Sequence, residues 1–566
     1  MAENRKRVLI VGGVAGGASC AARLRRLDEA AEIVVFERGP YVSFANCGLP
    51  YHVGNVIPEE KSLLVASAEL FRQRFRIDVR TRHEVTAIDR AKHEISVTNL
   101  ETGSVARERY DALVLAPGAA PVRPPLPGLD LSGIFTLRTI PDSRAIREWI
   151  DGHAVQRATI VGAGFIGLEM AENLAARGIR VSMVEMLSQV LPPLDPEMAV
   201  YVAERLRERG VELHLDDAVA SFESSDRPGL VVSTRSGKRI ETEMVVLSIG
   251  VRPETTLARD AGLASGSRGG IAVDDRMQTS DPAIWAVGDA VEVRDVVSGQ
   301  EAVVPLAGPA NRQGRIAAAA ITGHPGHFRG VQATAVCGAF GLTAALTGAS
   351  EKSLRRAGIT TYQKVYLHPN QHAGYYPGAT PIRLKLLFDP KDGRLLGAQA
   401  VGASGVEKRI DVLAMALQMG ATVHDLAEAE LCYAPQYGSA KDPVNLAGMV
   451  AVNALEGLAP LARWEDVQPG QTFLLDVREP SEFAAGAVEN ARNVPLGQLR
   501  DRLGELPRDR ELWVYCGVGQ RAHSACRLLA QNGFAVRNIS GGFLTWRAYQ
   551  AAARLASPSP SGPGRV

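Results

Sequence analysis

Two cysteines in this sequence lie in segments whose residue types suit sulfur chemistry. Cys47 lies in Ser-Phe-Ala-Asn-Cys-Gly-Leu-Pro-Tyr, residues 43–51, a segment without helical or strand periodicity. A cysteine in such a loop favours a reactive thiol over a small buried core residue. The next cysteine along the chain is Cys337, so no local disulfide can form. A single thiol must instead cycle through a mixed disulfide, a persulfide or a sulfenate.

Cys516 opens the second segment, Cys-Gly-Val-Gly-Gln-Arg at residues 516–521, between a predicted strand at 511–515 and a predicted helix at 522–531. Backbone N–H groups of such a loop can converge on the sulfur at the helix N-terminus, which stabilises a thiolate or persulfide without a metal. Arg521 can add positive charge. A loop one residue longer binds phosphate in phosphatases, which is the alternative. No metal site is expected, and three cysteines among apolar or helical neighbours are interpreted as core: Cys20, Cys337 and Cys526.

Two segments share a strand, glycine loop, helix and strand that ends in a carboxylate. The first has strands at 7–11 and 33–36, a helix at 18–27 and Glu37; the second has strands at 158–161 and 180–184, a helix at 168–177 and Glu185. Each is a βαβ unit of the nucleotide-binding type. The repetition predicts two nucleotide sites.

The second glycine loop is a complete G-x-G-x-x-G between a strand and a helix. Its glycines allow a tight turn and let backbone N–H groups approach a pyrophosphate. Glu185 is followed by Met186 rather than by a basic residue, so a ribose diol is favoured over a 2′-phosphate, and NADH over NADPH. The residues assigned to this nucleotide are Gly162, Gly164, Phe165, Ile166, Gly167 and Glu185.

The first glycine loop departs from this pattern, because Val14 replaces the middle glycine. Glu37 and the later Gly288-Asp289 pair suit an extended FAD, one at the adenosine ribose and one at the ribityl-phosphate side. A thiolate of Cys47 near an electron-poor isoalloxazine and a helix N-terminus is expected to have a lowered pKa. The residues assigned to FAD are Gly12, Val14, Ala15, Gly16, Glu37, Arg38, Ala116, Gly118, Gly288 and Asp289.

Several spaced motifs carry a family resemblance. Residues 43–51, Tyr375-Tyr376-Pro-Gly and Cys432-Tyr433-Ala-Pro resemble segments of coenzyme A-disulfide reductases, which are flavin-dependent pyridine nucleotide–disulfide oxidoreductases. The resemblance covers about residues 5–455. The 516–521 loop, with Asp476-Val-Arg-Glu and Gly541-Gly-Phe-Leu-Thr-Trp, resembles rhodaneses. The whole chain is similar to the fused form of the family, which includes NADH-dependent persulfide and polysulfide reductases.

The resemblance implies an α/β protein with two Rossmann-like nucleotide-binding domains, an α+β dimerisation domain and a C-terminal α/β rhodanese domain. The expected bounds are 1–117 and 250–330 for the FAD-binding domain, 118–249 for the NAD(H)-binding domain, 331–451 for dimerisation, 452–464 for a linker and 465–553 for the rhodanese domain. The Ser/Pro/Gly-rich residues 554–566 are expected to be disordered.

The resemblance also implies contacts with coenzyme A. Arg23 and Arg26 lie one helical turn apart and can meet phosphates, although exposed arginines are often only solvated. Tyr375 and Tyr433 match tyrosines that reach the thiol from the partner subunit of a homodimer. A phenol there can donate a proton to the leaving thiol or hold the thiolate; the alternative is a packing role. The implied coenzyme A contacts are Ser19, Arg23, Arg26, Ser43, Asn46 and Lys441.

Composition limits the class of protein. A chain of 566 residues, 46% hydrophobic and 22% charged, is expected to form several soluble domains. The net charge of +1 favours neither nucleic acid nor a membrane surface as a partner, and no apolar stretch has membrane-spanning length. Six cysteines in so long a chain indicate a reducing, cytoplasmic location.

Together these features predict a flavoprotein that uses NADH to reduce persulfide, polysulfide or coenzyme A disulfide at Cys47, coupled to sulfane-sulfur transfer at Cys516. Coenzyme A would be a substrate moiety or a bound thiol. The residues assigned to catalysis are Cys47, Cys516, Tyr375, Tyr433 and Arg521. The alternative is an enzyme like the NADH oxidases and peroxidases, with the rhodanese module as a redox sensor or docking site. Those relatives carry histidine where this chain has Ala15, which argues against peroxide chemistry.

Overall fold

The computed structural model describes residues 5–225 and 229–556. The chain divides into two compact units, one formed by Met1–Val184 and Val219–Ala333, the other by Glu185–Ala218 and Thr334–Val566. Within the described ranges, the helices are all too short or too polar to cross a membrane.

The first nucleotide-binding region begins the first unit. Its elements are β1 (Arg7–Val11), α1 (Ala15–Leu27), β2 (Glu32–Glu37), α2 (Leu49–Val53), α3 (Ala68–Phe75), β3 (Asp78–Thr81), β4 (His83–Asp89), β5 (Glu94–Asn99), β6 (Val105–Arg109), β7 (Ala112–Leu115) and β8 (Ala119–Pro121). The strands β4, β5 and β6 form a small antiparallel sheet.

The second nucleotide-binding region follows along the chain. Its elements are β9 (Ile134–Thr136), α4 (Ile140–His153), β10 (Arg157–Val161), α5 (Phe165–Ala176), β11 (Arg180–Val184), α6 (Pro196–Glu208), β12 (Glu212–His214), β13 (Val219–Ser224), β14 (Leu230–Thr234), β15 (Arg239–Thr242), β16 (Met244–Leu247) and β17 (Val251–Pro253). Of these, α6 and β12 belong to the second unit.

The last part of the first unit adds elements to the first nucleotide-binding region. The elements are α7 (Thr256–Asp260), β18 (Ile271–Ala272), β19 (Ile284–Ala286), β20 (Val291–Arg294), β21 (Glu301–Ala302) and α8 (Ala307–Ile321). Strand β19 pairs in parallel with β7, which completes the five-stranded parallel order β19-β7-β1-β2-β3. In its centre Ile10 lies opposite Val35 of β2 and Val114 of β7. These β-branched strands are buried on both faces, as expected for a parallel sheet covered by helices.

A second parallel sheet has the order β11-β10-β16-β9 within the first unit. Ile160 of β10 lies opposite Met183 of β11 and Val246 of β16. The carboxyl ends of β1 and β10 each lead into a glycine loop and then a helix. Both nucleotide loops are therefore at the edge of a parallel sheet where such ligands bind.

The second unit combines an antiparallel sheet with a parallel one. Its remaining elements are β22 (Ala335–Ala339), β23 (Leu342–Gly348), α9 (Glu351–Arg356), β24 (Gln363–Leu367), β25 (Ile382–Phe388), β26 (Leu395–Gly402), α10 (Val406–Gln418), α11 (Val423–Glu428), α12 (Pro443–Leu455), β27 (Leu461–Ala462), β28 (Phe473–Asp476), α13 (Pro480–Ala484), β29 (Arg492–Asn493), β30 (Leu512–Tyr515), α14 (Gln520–Gln531), β31 (Val536–Ile539) and α15 (Gly542–Ala556).

The antiparallel sheet has the order β22-β23-β26-β25-β24, and the parallel sheet the order β27-β31-β30-β28-β29. In the latter, Val514 of β30 lies opposite Leu475 and Asn538. The predicted fold class is confirmed: two Rossmann-like domains, an α+β domain and a C-terminal α/β domain of the rhodanese type.

Element ends differ from the sequence prediction in ways that have physical causes. Helix α1 begins at Ala15, three residues before the predicted start, because Gly16 and Gly17 let its first turn approach the strands. A Cβ on Gly17 would lie 1.9 Å from the carbonyl oxygen of Gly12. Strand β27 lies inside the expected 452–464 linker, where its pairing with β31 draws it into the sheet. Helix α15 includes residues 554–556, and the rest of the expected disordered tail lies outside the described residues.

Candidate functional site

A cavity of about 1270 Å³ runs through the first unit. Cys47 lies in its wall and is solvent-exposed there. All ten residues assigned to FAD line it: Gly12, Val14, Ala15, Gly16, Glu37, Arg38, Ala116, Gly118, Gly288 and Asp289. The cavity thus joins the predicted cofactor residues to the predicted redox thiol.

The first glycine loop fits a dinucleotide despite Val14. Helix α1 starts after Val14, and among the described residues no side chain caps its first turn. The first N–H groups of α1 are therefore left for a phosphate, and no acidic residue in that turn opposes one. Glu37 Oε2 accepts a hydrogen bond from Gly13 N at 2.9 Å, and its Oε1 accepts one from Gly39 N at 2.8 Å. These bonds fix the carboxylate at the end of β2, where the adenosine ribose is expected.

Asp289 is paired with an arginine that the sequence analysis did not identify. Arg138 Nη2 lies 3.0 Å from Asp289 Oδ2, and both side chains line the cavity. Gly288 N donates to Gln313 Oε1 at 2.7 Å, which holds the turn before Asp289. Arg138 is 151 residues from Asp289, so no local pattern pointed to it.

The segment that carries Cys47 is held against the first glycine loop. Ser43 has a φ of +47°, in the left-handed region, and its backbone is fixed there by hydrogen bonds. Its N–H donates to Gly13 O at 2.8 Å, and its carbonyl accepts from Val65 N at 2.9 Å. Cys47 then lies in the 3-10 turn Asn46–Gly48, directly before α2.

The side chain of Asn46 has a buried oxygen that a bound ligand could satisfy. Its Oδ1 is buried, and nothing in the described part of the chain donates a hydrogen bond to it. A buried oxygen without a partner costs free energy unless a bound molecule supplies a donor. Asn46 lines the same cavity as Cys47 and was assigned to substrate binding.

The protein's own groups raise the pKa of the Cys47 thiol. Partial burial of the sulfur in the cavity wall has the largest effect, Glu169 and Asp289 add to it, and Arg138 opposes it. Burial also raises the pKa of Glu169 to about 7, although Tyr51 OH donates to its carboxylate at 3.4 Å. The protein groups alone therefore do not lower the pKa of Cys47, and the expected lowering would have to come from the bound flavin. Glu169 had no role in the sequence analysis, because it lies on α5, far along the chain.

The arginines of α1 fall into two groups. Arg25 is buried, and its guanidinium donates to backbone carbonyls, including Phe75 O at 2.7 Å. Arg23 is half-buried and Arg26 exposed, and Arg26 lines the cavity together with Arg315 of α8. Arg23 does not line the cavity. The cavity is also lined by Ser19, by its hydrogen-bond partner Asn311 and by Ala22.

The second glycine loop has the shape that a pyrophosphate requires. A Cβ on Gly167 would lie 2.1 Å from Gly162 O, which reflects close helix–strand packing. A Cβ on Gly164 would meet nothing within 4 Å, so that side of the loop faces open space at the start of α5. Phe165 and Ile166 form the first turn of α5. Glu185, directly after β11, accepts a hydrogen bond from Leu187 N at 2.9 Å.

Cys516 is enclosed by backbone. It is 0% exposed, and Gly519 N donates to its Sγ at 3.1 Å at the start of α14. Gly519 has a φ of +99°, a left-handed conformation that lets its N–H turn toward the sulfur. One backbone N–H of the loop thus reaches the sulfur, in the direction that the predicted cradle for a thiolate or persulfide requires.

Arg521 brings a positive charge to this loop, but its guanidinium is paired with the carboxylate of Glu482. Its Nη1 and Nη2 lie 2.6 and 2.7 Å from the two carboxylate oxygens of Glu482. The pair holds the pKa of Glu482 down to about 2. Glu482, and to a lesser extent Cys516, raises the pKa of Arg521. Glu482 was missed because it lies 39 residues upstream of Arg521.

The predicted tyrosines lie together in the second unit. The phenol oxygens of Tyr375 and Tyr433 are 2.7 Å apart, and both side chains are exposed. Their hydrogen bond raises the pKa of Tyr375. Lys441 is also exposed. As predicted, Cys20, Cys337 and Cys526 are buried.

Three family models match the chain. Residues 6–314 match the pyridine nucleotide-disulphide oxidoreductase family, residues 334–442 match its dimerisation domain, and residues 461–549 match the rhodanese-like domain. A coenzyme A disulfide reductase of Staphylococcus haemolyticus is 36% identical over 447 residues, which cover 79% of this chain and 99% of that protein.

Two solved structures are similar to this chain over nearly its whole length. The reduced CoADR-RHD of Bacillus anthracis is 46% identical, with a TM-score of 0.94 over 96% of this chain and 98% of that one. An NAD-dependent persulfide reductase from A. fulgidus is 38% identical, with a TM-score of 0.88 over 95% of this chain and 100% of that one. The chain belongs to the pyridine nucleotide-disulphide oxidoreductase family and carries a C-terminal rhodanese-like domain.

Proposed function

We propose that this protein uses NADH to reduce the sulfane sulfur of small-molecule persulfides at Cys47, with coenzyme A persulfide as the preferred substrate. One observation carries the proposal: Cys47 is an accessible thiol in the cofactor cavity, and all six cysteines of the chain are free. The thiol therefore exchanges sulfur with a substrate rather than with a neighbouring cysteine. Polysulfide and coenzyme A disulfide would react at the same thiol.

The first step is a sulfur transfer to Cys47. The thiolate attacks the sulfane sulfur of R–S–SH, the S–S bond of the substrate breaks, and R–S⁻ leaves as Cys47–S–SH forms. Two electrons and two protons then convert Cys47–S–SH to the free thiol and hydrogen sulfide. FAD bound along the cavity would carry those electrons from NADH to the sulfur. Because the protein raises the pKa of Cys47, the thiolate needs stabilisation by bound groups.

Recognition of the substrate is assigned to the polar wall around Cys47. Asn46 and Ser43 would contact the pantetheine end, and Arg26 with Arg23 the phosphates, with Lys441 as a further contact. Tyr375 and Tyr433 would reach the thiol from the partner of a homodimer and supply a proton to the leaving thiolate. Their paired, exposed phenols support that role.

Cys516 is proposed to carry sulfane sulfur on its own thiol. Its thiolate would take sulfur from a donor R–S–S⁻ and release R–S⁻, and the backbone N–H of Gly519 would hold the persulfide. The NAD-dependent persulfide reductase that spans nearly the whole chain supports this pairing of functions. NADH is favoured over NADPH because Glu185, fixed by Leu187 N, would repel a 2′-phosphate.

Oxidase chemistry is the second candidate, since a water-forming NADH oxidase from Lactobacillus brevis is 27% identical over 80% of this chain. Ala15 lines the cavity at the first turn of α1 and offers no imidazole. A peroxide intermediate would find no proton donor at that position.

Anaerobic steady-state NADH oxidation with coenzyme A persulfide, coenzyme A disulfide, glutathione persulfide and polysulfide tests the proposal. We expect the highest kcat/KM with coenzyme A persulfide and one sulfide released per NADH. The Cys47→Ser variant should be inactive, whereas Cys432→Ser, which alters another exposed cysteine, should match the parent. Faster turnover with oxygen than with every sulfur substrate would favour the oxidase.

A further inference from the structure

We propose that the end of β24 forms the rear wall of the Cys516 site, and that Tyr366 and His368 are positioning residues for sulfur transfer. The name "β24 wall" denotes these two residues. The inference rests on the proposed function of Cys516. Strand β24 belongs to the antiparallel sheet, outside the rhodanese-like segment.

A glycine turn holds the front half of the Cys516 loop. Phe543 N donates to Cys516 O at 2.7 Å, and Leu544 N donates to Gly517 O at 3.0 Å. A Cβ on Gly542 would lie only 2.3 Å from Cys516 O. The position of the loop carbonyls, and with them the direction of the loop N–H groups, is therefore set by Gly541 and the first turn of α15.

The β24 wall holds the same turn from the opposite side. Tyr366 N donates to Ser540 Oγ at 2.9 Å. A Cβ on Gly541 would lie 2.6 Å from Tyr366 Cβ, so the turn packs directly on that side chain. His368 Nε2 lies 2.9 Å from Thr545 Oγ1, in the first turn of α15. The turn is thus clamped between the sulfur loop and β24.

The Tyr366–Ser540 contact is buried and the His368–Thr545 contact is partly buried. Thr545 is 2% exposed. Burial lowers the pKa of His368 to about 4, Arg383 lowers it further, and the backbone of Gly541 opposes both. The imidazole is therefore neutral at physiological pH and shares one hydrogen bond with the Thr545 hydroxyl. Removing either partner leaves a buried polar atom unsatisfied or moves the turn.

The wall is itself fixed by a buried ionic cluster. Tyr366 OH donates to Glu197 Oε1 at 2.7 Å and lies 2.8 Å from Tyr549 OH. Lys364 of β24 donates to Glu351 Oε1 at 2.8 Å and also reaches Glu465, in the rhodanese-like segment.

Lys385 of β25 completes the cluster. Its Nζ lies 2.7 Å from Asp195 Oδ2 and 2.5 Å from both Glu197 Oε1 and Glu351 Oε1. Charges buried this deeply are costly to separate, because a lone partner would remain uncompensated. The cluster therefore keeps β24 in one position relative to the turn.

The full-length, flavin-loaded protein allows a direct test with Thr545→Val, which keeps the side-chain shape and removes the hydroxyl. We expect kcat for sulfur transfer from thiosulfate or coenzyme A persulfide to fall about tenfold with little change in KM. Alkylation of Cys516 by iodoacetamide, followed peptide by peptide, should shift to higher pH. Thr545→Ser should restore both within twofold, and NADH-dependent reduction at Cys47 should be unchanged.

A second variant, His368→Leu, should give the same shift, and the double variant should add little to either single change. An unchanged alkylation profile in Thr545→Val, even with a lower Tm, would overturn the proposal. Equal loss of reductase activity would also overturn it, because the contact would then support the chain as a whole. If the parent transfers no sulfur from any donor, the proposed function of Cys516 fails, whereas the alkylation profile still decides the role of the wall.

Discussion

The two thiol sites of this protein are built in opposite ways. Cys47 is exposed in the wall of a large cavity, beside the unpartnered oxygen of Asn46. Cys516 is 0% exposed, and its sulfur already accepts a backbone hydrogen bond from Gly519. The first site depends on a bound cofactor for its electrons, whereas the second holds its sulfur with groups of the chain alone.

The two sites share one electrostatic feature, because each pairs an arginine with a carboxylate: Arg138 with Asp289, and Arg521 with Glu482. Burial, Glu169 and Asp289 raise the pKa of Cys47, whereas Arg138 and a backbone hydrogen bond lower it. At the second site, the carboxylate of Glu482 pairs with both Nη atoms of the Arg521 guanidinium. Each site therefore contains a carboxylate whose removal should make its thiol more reactive.

The largest expected effect comes from adding one methyl group beside each cysteine. Gly542→Ala would place Cβ 2.3 Å from Cys516 O at a φ of +56°, and Gly48→Ala would place it 2.7 Å from the movable end of Leu63. We expect Gly542→Ala to abolish sulfur transfer and to lower the free energy of unfolding by about 3 kcal/mol, the upper end for a residue forced into a strained backbone conformation. Gly48→Ala should cost about 1 kcal/mol, the lower limit for added core volume.

Urea unfolding and sulfur-transfer assays on both variants check this prediction. Equal destabilisation by the two alanines would show that the Cys516 loop is no more tightly enclosed than the Cys47 loop. The comparison between the two sites would then lose its structural basis.

The next effect is electrostatic and concerns Cys47. Replacing Glu169 by Gln removes a carboxylate whose pKa is raised to about 7 and which in turn raises the pKa of the thiol. In flavin-free protein at pH 8, alkylation of Cys47 should become about threefold faster, since a nearby like charge disfavours the thiolate. Below pH 7 the parent carboxyl is itself protonated, so the difference should shrink as the pH falls.

Rates of iodoacetamide labelling between pH 6 and 9 measure this effect, with Glu148→Gln, at an exposed glutamate of α4, as the control. A constant ratio across that range would contradict the assigned titration of Glu169. Labelling of Cys516 should be the same in both proteins.

The smallest effect is expected at Cys516. Glu482→Gln frees the Arg521 guanidinium to face the sulfur, so labelling of Cys516 at pH 6 should rise about twofold. The pair adds only about 0–1 kcal/mol of stability, because both side chains are more than a third exposed. Since the pKa of Glu482 is depressed to about 2, that contribution is complete above the unfolded value and is lost as the pH falls toward 2. Glu489→Gln, at another exposed glutamate, should change neither quantity.

The features that could be predicted from the sequence are those set by short stretches of chain. The glycine loops, the carboxylates after β2 and β11, and the Cys516 loop each depend on residues a few positions apart. Local backbone requirements select these residue types, so they leave a local pattern. Helix starts were less accurate, because Gly16 and Gly17 weaken the helical signal while packing makes the first turn.

The partners of these residues could not be predicted, because they come from distant parts of the chain. Arg138 meets Asp289 across 151 residues, and Tyr366 meets Ser540 across 174. Neither arginine nor tyrosine has a local pattern that marks such a contact. The protein's own effect on the pKa of Cys47 could not be predicted either, because it combines burial of the thiol with the charge of Glu169, which lies on the distant helix α5.

The most direct test of the account measures both activities in Cys47→Ser and Cys516→Ser. Anaerobic NADH oxidation with soluble coenzyme A persulfide reports on Cys47, and sulfur transfer from thiosulfate to cyanide reports on Cys516. We expect Cys47→Ser to lose at least about 10³-fold in NADH oxidation and to keep sulfur transfer, as removal of a nucleophile does. Cys516→Ser should show the reverse. Equal loss of both activities in either variant would contradict the division of work between the two thiols.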